Sequence, residues 1–202
     1  MLTQLTTVKA RLAIDPLDTG FDALLTNTIN AISTRFDHET NRTLARTTGM
    51  TEEFSCDQTE ILVPCYPIES VTKFELKSTE AEGWVEQTGI DFLLRRKCII
   101  SLALPLSFSS PSSISNLLSP AARVTYTGGF VLPGTTPSAG QTALPDDLEQ
   151  AAVEQVAHWF QTRDTLGLDT IWPHSGTYEK FSKLSLLLPV QAILKYYQRW
   201  VL

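Results

Sequence analysis

Two apolar stripes of helical period, one near each end of the chain and about a hundred residues apart, limit what this sequence can fold into. In the first, Phe21, Leu24, Leu25, Thr28, Ile29, Ile32 and Phe36 fall at offsets 0, 3, 4, 7, 8, 11 and 15. That is one buried face at a 3.6-residue period, and it predicts a helix from about Asp18-Thr19 to about Arg42. The second runs through Leu148, Ala151, Ala152, Gln155, Val156, Trp159 and Phe160, with Gly167 at or just beyond its end. Pro145 suits the first turn of that helix, because the N–H it lacks has no partner there, and Asp146 and Asp147 complement the positive end of the helix dipole. The two stripes are expected to form the core. A short helix carrying Val8 and Leu12, capped by Thr3 or Thr6 and stopped at Asp15-Pro16, is expected before them. A last helix starting at Leu188-Pro189 is expected to place Val190, Ile193, Leu194 and Tyr197 on one face.

Between the stripes the period changes to that of strands. Ile61–Val63, Val71–Leu76, Phe92–Leu94, Ile99–Leu102 and Val124–Tyr126 are short, β-prone and separated by turn residues, which predicts an antiparallel sheet inserted between helices. Ser107–Pro120 holds seven serines and two prolines without periodicity and reads as a mobile loop or tip. Gly128–Thr142 is a second long connection, and a loop with Pro173, His174 and Gly176 follows the second stripe. The expected fold class is α+β, mainly helical: a small helical bundle with an inserted antiparallel β region and a C-terminal docking helix.

Composition narrows the function classes. Of 202 residues, 43% are apolar and 19% charged, which excludes disorder for the bulk of the chain. Twenty-two acidic against sixteen basic residues give −6, the wrong sign for a general nucleic-acid binder. The longest apolar runs fall far short of the ~20 residues of a membrane span, and MLTQLTTVKARL lacks the features of a signal peptide. Three cysteines without a CxxC suit reduced thiols, so a soluble, cytosolic chain is expected.

The chemistry of a catalytic site is missing. His158 lies four residues after Glu154, a potential ion pair rather than an HExxH, and His38 and His174 are isolated from cysteines and acids. There is no GxSxG, P-loop or GxGxxG, and Gly128-Gly129 alone is a turn signal. Asp146-Asp147 is explained by the helix N-terminus, and Cys56 and Cys65 by packing in a sheet. Neither catalysis, nor a metal, nor a cofactor is expected.

The last fifteen residues are unusual, since they stay aromatic to the very end while termini ordinarily fray. Tyr196, Tyr197, Arg199 and Trp200 are residue types enriched among interface anchors. Such a segment docks either on the chain's own core or on a partner. On the partner reading, the binding residues are Val190, Ile193, Leu194, Tyr196, Tyr197, Arg199 and Trp200, and removing everything after Pro189 is expected to leave a folded protein.

In four places the sequence resembles the phage head–tail connector adaptors, the head-completion proteins of long-tailed phages. VKARLAID…DTGFDALLTNTINAISTRFDHETNR (Val8–Arg42) looks like the first two helices of that family, ending in its T-x-R turn at Thr40 and Arg42. RVTYTGGF (Arg123–Phe130) looks like the strand and glycine turn before its third long helix. LPDDLEQAAVEQVAHWFQTRD (Leu144–Asp164) resembles that helix, with Trp159-Phe160 and Arg163, and LPVQAILKYYQRW (Leu188–Trp200) resembles its terminal segment. Together they cover about half the chain in the family's order, and residues 45–120 match only in being β-rich.

The resemblance implies a structural virion protein at the neck, assembled in the host cytoplasm. Residues 1–202 would form a single adaptor domain, with a helical core at 1–44 and 144–165, a β-rich insert at 46–127 and a C-terminal docking segment at 177–202. It implies a ring of copies, usually twelve, around the DNA channel. The portal protein would bind above, reached by the C-terminal segment, and the next neck or tail-side connector protein below. DNA would pass through the lumen without specific binding, for which an acidic balance is permissive. Two other classes stay open. Another ring-forming neck or tail-terminator protein predicts a β-dominated fold, and an enzyme or regulator predicts a pocket of titratable residues.

Overall fold

Four helices and nine strands make up residues 1–106, 121–163 and 185–199, the part of the chain that the computed structural model describes. The expectations for the Ser107–Pro120 tip, the His174 loop, Gly167 and Trp200 lie outside those residues. The chain forms two compact units. One comprises residues 1–40, 132–135 and 144–198, and the other residues 41–131, 136–143 and 199–202.

The first unit is helical. It contains α1 (Leu5–Arg11), α2 (Asp22–Thr40), α3 (Asp146–Gln161) and α4 (Leu188–Tyr197). Along α2 the buried set is Leu25, Ile29, Ile32, Phe36 and Thr40, narrower than the sequence stripe. Phe21 and Leu24 stay 37% and 45% exposed, and the Phe21 ring instead meets Phe160 edge-on at 5.3 Å. The Arg163 guanidinium covers the Phe160 ring at 4.2 Å. Helix α3 buries more than one face, Leu148, Ala151, Ala152, Val153, Val156 and Ala157, because α1, α2 and α4 all pack on it.

The helix starts differ from the capping expectation. Gln4, not a threonine, occupies the N-cap of α1, and no side chain caps it. Asp15 and Asp18 accept the N–H groups of Leu17 (2.8 Å) and Gly20 (2.9 Å), so both close Asx-turns and α2 begins only at Asp22. Lys9, 3% exposed, ties this connection down by donating to the Asp18 carbonyl at 2.7 Å and pairing with the Asp22 carboxylate at 2.5 Å. Glu154 is held by Arg11 through two 2.9 Å bonds and by Gln150 at 2.8 Å, so the partner anticipated for His158 is taken by other side chains.

The second unit is built from strands β1 (Thr47–Ser55), β2 (Glu60–Leu62), β3 (Ile68–Lys77), β4 (Val85–Gln87), β5 (Phe92–Arg95), β6 (Ile99–Leu102), β7 (Ala121–Gly128), β8 (Phe130–Val131) and β9 (Thr142–Ala143). They form an antiparallel sheet of order β1-β7-β3-β4, an antiparallel sheet of order β2-β6-β5, and a short parallel β8-β9 pair. Alternation along β7 shows why the larger sheet forms. Ala122, Val124 and Tyr126 point into a core with Phe54, Ile61 and Phe74, while Arg123, Thr125 and Thr127 lie on the other face. The Tyr126 hydroxyl sits in that core and accepts the Cys65 N–H at 3.1 Å.

The mainly helical fold class is therefore corrected. Among the described residues 28% are strand and 32% helix, and the β region forms a unit with its own core. The extra strand content comes from half-buried strands whose outer faces are polar, such as Thr47–Ser55, where only Phe54 is fully buried. Strands of that kind carry too few apolar residues to stand out in a sequence.

On the outer face of the larger sheet, Glu75 is 5% exposed and charged. Lys73 donates to it at 3.0 Å and Arg123 at 3.0 and 2.8 Å, with Arg123 itself over the Trp84 ring at 4.2 Å. Burial pushes this carboxyl up, but the hydrogen bonds from the two cations outweigh it and hold it below the ordinary carboxylate value. A depressed folded pKa contributes stability above the unfolded value of about 4.3 and loses it as pH falls through the folded value. Glu75→Gln should cost about 1–3 kcal/mol at neutral pH and shrink with acidification, leaving wild type and variant closer together below about pH 4. Urea denaturation across that range measures it, and a pH-independent difference would refute the charge argument.

Candidate functional site

No cluster of three or more potential metal ligands occurs among the described residues. The helical unit has a cleft of about 280 Å³ lined by Arg35, Glu39, Ser185, Gln191, Lys195 and Gln198, among others. Arg35 and Glu39 pair across one helical turn at 3.4 Å.

Helix α4 carries five of the seven predicted partner residues, with Arg199 just past its end and Trp200 outside the described residues, and the structure divides them. Val190 and Leu194, 2% and 3% exposed, are core residues packed on α3 and α2. The start of the helix is fixed by Gln155, a fully buried side chain of α3 whose Oε1 accepts the Leu187 N–H at 2.8 Å. Ile193 is half-buried. Tyr197 donates its hydroxyl to the Asp147 carboxylate at 2.7 Å, and that same carboxylate accepts the Leu148 N–H at the start of α3. Arg199 pairs with Glu52 of β1 at 3.3 Å and donates to the Leu62 carbonyl at 2.9 Å. Burial raises the Glu52 carboxyl against the pull of Arg199. Tyr196 alone is wide open at 88%, with Leu188 at 79% further back along the helix. Truncation after Pro189 removes two core side chains, so the expectation of a folded remnant is reversed.

The residues of the T-x-R turn serve the fold. Thr40 Oγ1 donates to the Phe36 carbonyl at 2.7 Å within the helical unit. In the β unit, Arg42 is 5% exposed with its guanidinium carbon 3.4 Å from the Tyr66 ring centroid.

Two sheet edges of the β unit carry apolar side chains in the open. Strand β5 pairs only with β6 among the described residues, and Phe92, Leu93 and Leu94 are 37%, 68% and 40% exposed. Strand β4 pairs only with β3 among them, and Val85 is 51% exposed. Charge is segregated between the two edges. Residues 78–91 contain Glu80, Glu82, Glu86 and Asp91 and no base, whereas Phe92–Lys97 ends in Arg95-Arg96-Lys97 and contains no acid. The basic turn is closed by hydrogen bonds. Arg96 and Lys97 have φ of +50° and +55°, the Cys98 N–H bonds to the Arg95 carbonyl at 3.1 Å, and the Lys97 carbonyl accepts the Ile68 N–H at 2.7 Å. The charge segregation is visible in the sequence, but a charge run ordinarily marks a solvated loop, and only the edge positions of β4 and β5 give it meaning.

No family model matches the chain, and no curated protein does. Its fold is similar to solved structures. A chain from the neck of an empty gene transfer agent (GTA) particle, computed with C6 symmetry, aligns with a TM-score of 0.57 at 14% identity, over 98% of this chain and 89% of that one. A chain from the virion of the native GTA particle gives 0.56 at 16% identity, over 98% and 89%. A chain from the native neck computed with C12 symmetry gives 0.50 at 16%, over 98% and 91%. At these identities the fold is what is shared.

Proposed function

We propose that the chain is a structural, non-catalytic subunit of the neck of a phage-like particle and acts as a head–tail connector adaptor. The observation that carries this reading is the fold shared with neck chains over 98% of the sequence. The order of the four sequence segments resembling the adaptor family supports it independently. The helices over 22–40 and 146–161 favour an adaptor over the β-dominated alternative of a tail terminator.

As an adaptor, copies of the whole chain form a closed ring, twelve by resemblance, below the portal protein and above the next neck or tail-side connector protein. Heterologous contacts close into such rings when the rotation allows. DNA passes through the lumen without specific binding, and the net charge of −6 is compatible with that passage. The protein resides in the virion and is assembled in the host cytoplasm. On helix α4 the portal-facing side is the open one, with Tyr196 at its centre and half-buried Ile193 at its margin, while Val190 and Leu194 hold the helix in place from behind. Tyr197 is engaged by Asp147 within the helical unit, and Arg199 by Glu52 and Leu62 within the β unit. Averaged electron images of assembled particles test the reading. A ring of this chain beneath the portal is the expected result, and a two-fold dimer at the neck, or absence from the neck, would overturn it.

A further inference from the structure

Resting on the ring reading, we infer that the subunit contact is made by the β5 edge of one copy against the β4 edge of the next. A ring needs two different, mutually complementary patches on each chain. The β unit presents such a pair, and both are unpaired strand edges among the described residues, which is the feature a neighbouring strand can extend. Both edges are short, four residues in β5 and three in β4.

Side chains and charge agree with the backbone. Leu93 and Leu94 on one edge and Val85 on the other are large apolar groups in water, and pairing the edges covers them. The basic turn Arg95-Arg96-Lys97 continues directly from β5, and the acidic stretch with Glu80 and Glu82 leads directly into β4. Antiparallel pairing runs the basic turn of one copy alongside the acidic stretch of the next. Parallel pairing would set the same turn against Thr88–Asp91, where Asp91 is the single charge. Charge therefore selects the antiparallel arrangement. Arg95 already pairs with Glu60 at 2.9 Å and Glu80 with Lys77 at 2.6 Å, so the charges the contact draws on first are Arg96 and Lys97 on one side and Glu82 with the 91% exposed Glu80 on the other. The turn is held in a left-handed conformation that arginine and lysine adopt at a cost and that Asn-Gly would adopt freely. Two cations stand where the backbone alone favours other residues.

Three full-length variants test the contact by sedimentation at low salt and by incorporation into particles. Arg96→Glu with Lys97→Glu, and separately Glu80→Lys with Glu82→Lys, should each weaken self-association by about tenfold or more, because like charges then face each other. Mixing the two reversed chains should restore association, since each edge again meets its opposite. Arg96→Asn with Lys97→Gly removes the cations while relieving the turn. It should melt higher than wild type yet associate less, which separates the contact from folding. Reversed chains that associate and enter particles like wild type would overturn the edge contact while leaving the ring intact. A wild-type chain that stays monomeric at millimolar concentration and is absent from the neck would overturn both.

Discussion

Gly129→Ala should be among the most damaging single substitutions in the β unit, costing upward of about 3 kcal/mol. Gly129 has φ of +99°, and a Cβ placed there would lie 2.7 Å from the Ala45 carbonyl oxygen and 2.8 Å from both Ala45 C and Arg46 Cα. All three are backbone atoms, so no side chain can swing aside. The surrounding backbone is also fixed, with Phe130 N–H bonded to the Leu44 carbonyl at 2.8 Å, Arg46 N–H to the Phe130 carbonyl at 2.8 Å, and Gly129 N–H to the Pro67 carbonyl at 2.9 Å. Gly128 is similarly confined, against the carbonyls of Cys65 and Pro67. The control is Gly140→Ala, where φ is +87° but nothing lies within 4 Å, so only the backbone penalty of about 1–2 kcal/mol applies. Thermal melts of the two variants compare the effects directly. Equal losses would show that close approach at Gly129 contributes nothing beyond its φ.

That glycine pair illustrates what could be read before the fold was known. Its position, at the end of a strand and before a connection to the long helix, follows from RVTYTGGF, but its reason does not. The reason is the backbone of residues 45–67 passing within van der Waals distance, a contact across more than sixty residues of chain. The helices were legible because α2 and α3 bury periodic faces, and a 3.6-residue period survives in any context. Their edges were not, because Asp15 and Asp18 serve turns instead of caps and Phe21 packs on Phe160 outside the main stripe. Strand β1 is not legible in the sequence because a sheet with one polar face asks little of its edge strand beyond Phe54. The assembly surfaces were half legible. Aromatic residues at the chain's end pointed to α4, whereas β4 and β5 look like ordinary strand and loop until their edges are seen to be unpaired.

Along α4 the fold and the proposed attachment should separate cleanly. Leu194→Ala removes a side chain only 3% exposed between α4 and its neighbours α2 and α3, and should cost about 2–5 kcal/mol. Val190, 2% exposed, lies one turn earlier on the same face, so deleting everything after Pro189 strips both and uncovers the face of α3 that they cover. It also leaves the Asp147 carboxylate without the Tyr197 hydroxyl. The truncated chain is therefore expected to melt well below the full chain or not to fold. Tyr196 is the converse case. At 88% exposure Tyr196→Ala should change stability by less than about 0.5 kcal/mol, because the side chain buries almost nothing within its own unit. If α4 meets the portal as proposed, the same change should weaken attachment by about 2 kcal/mol, the scale of a tyrosine anchor at an interface. Melting each variant alone and then measuring its binding to portal-bearing heads separates the two roles. A Tyr196→Ala chain that binds heads like wild type would move the portal contact off this helix, while the effect of Leu194→Ala on the fold would stand unchanged.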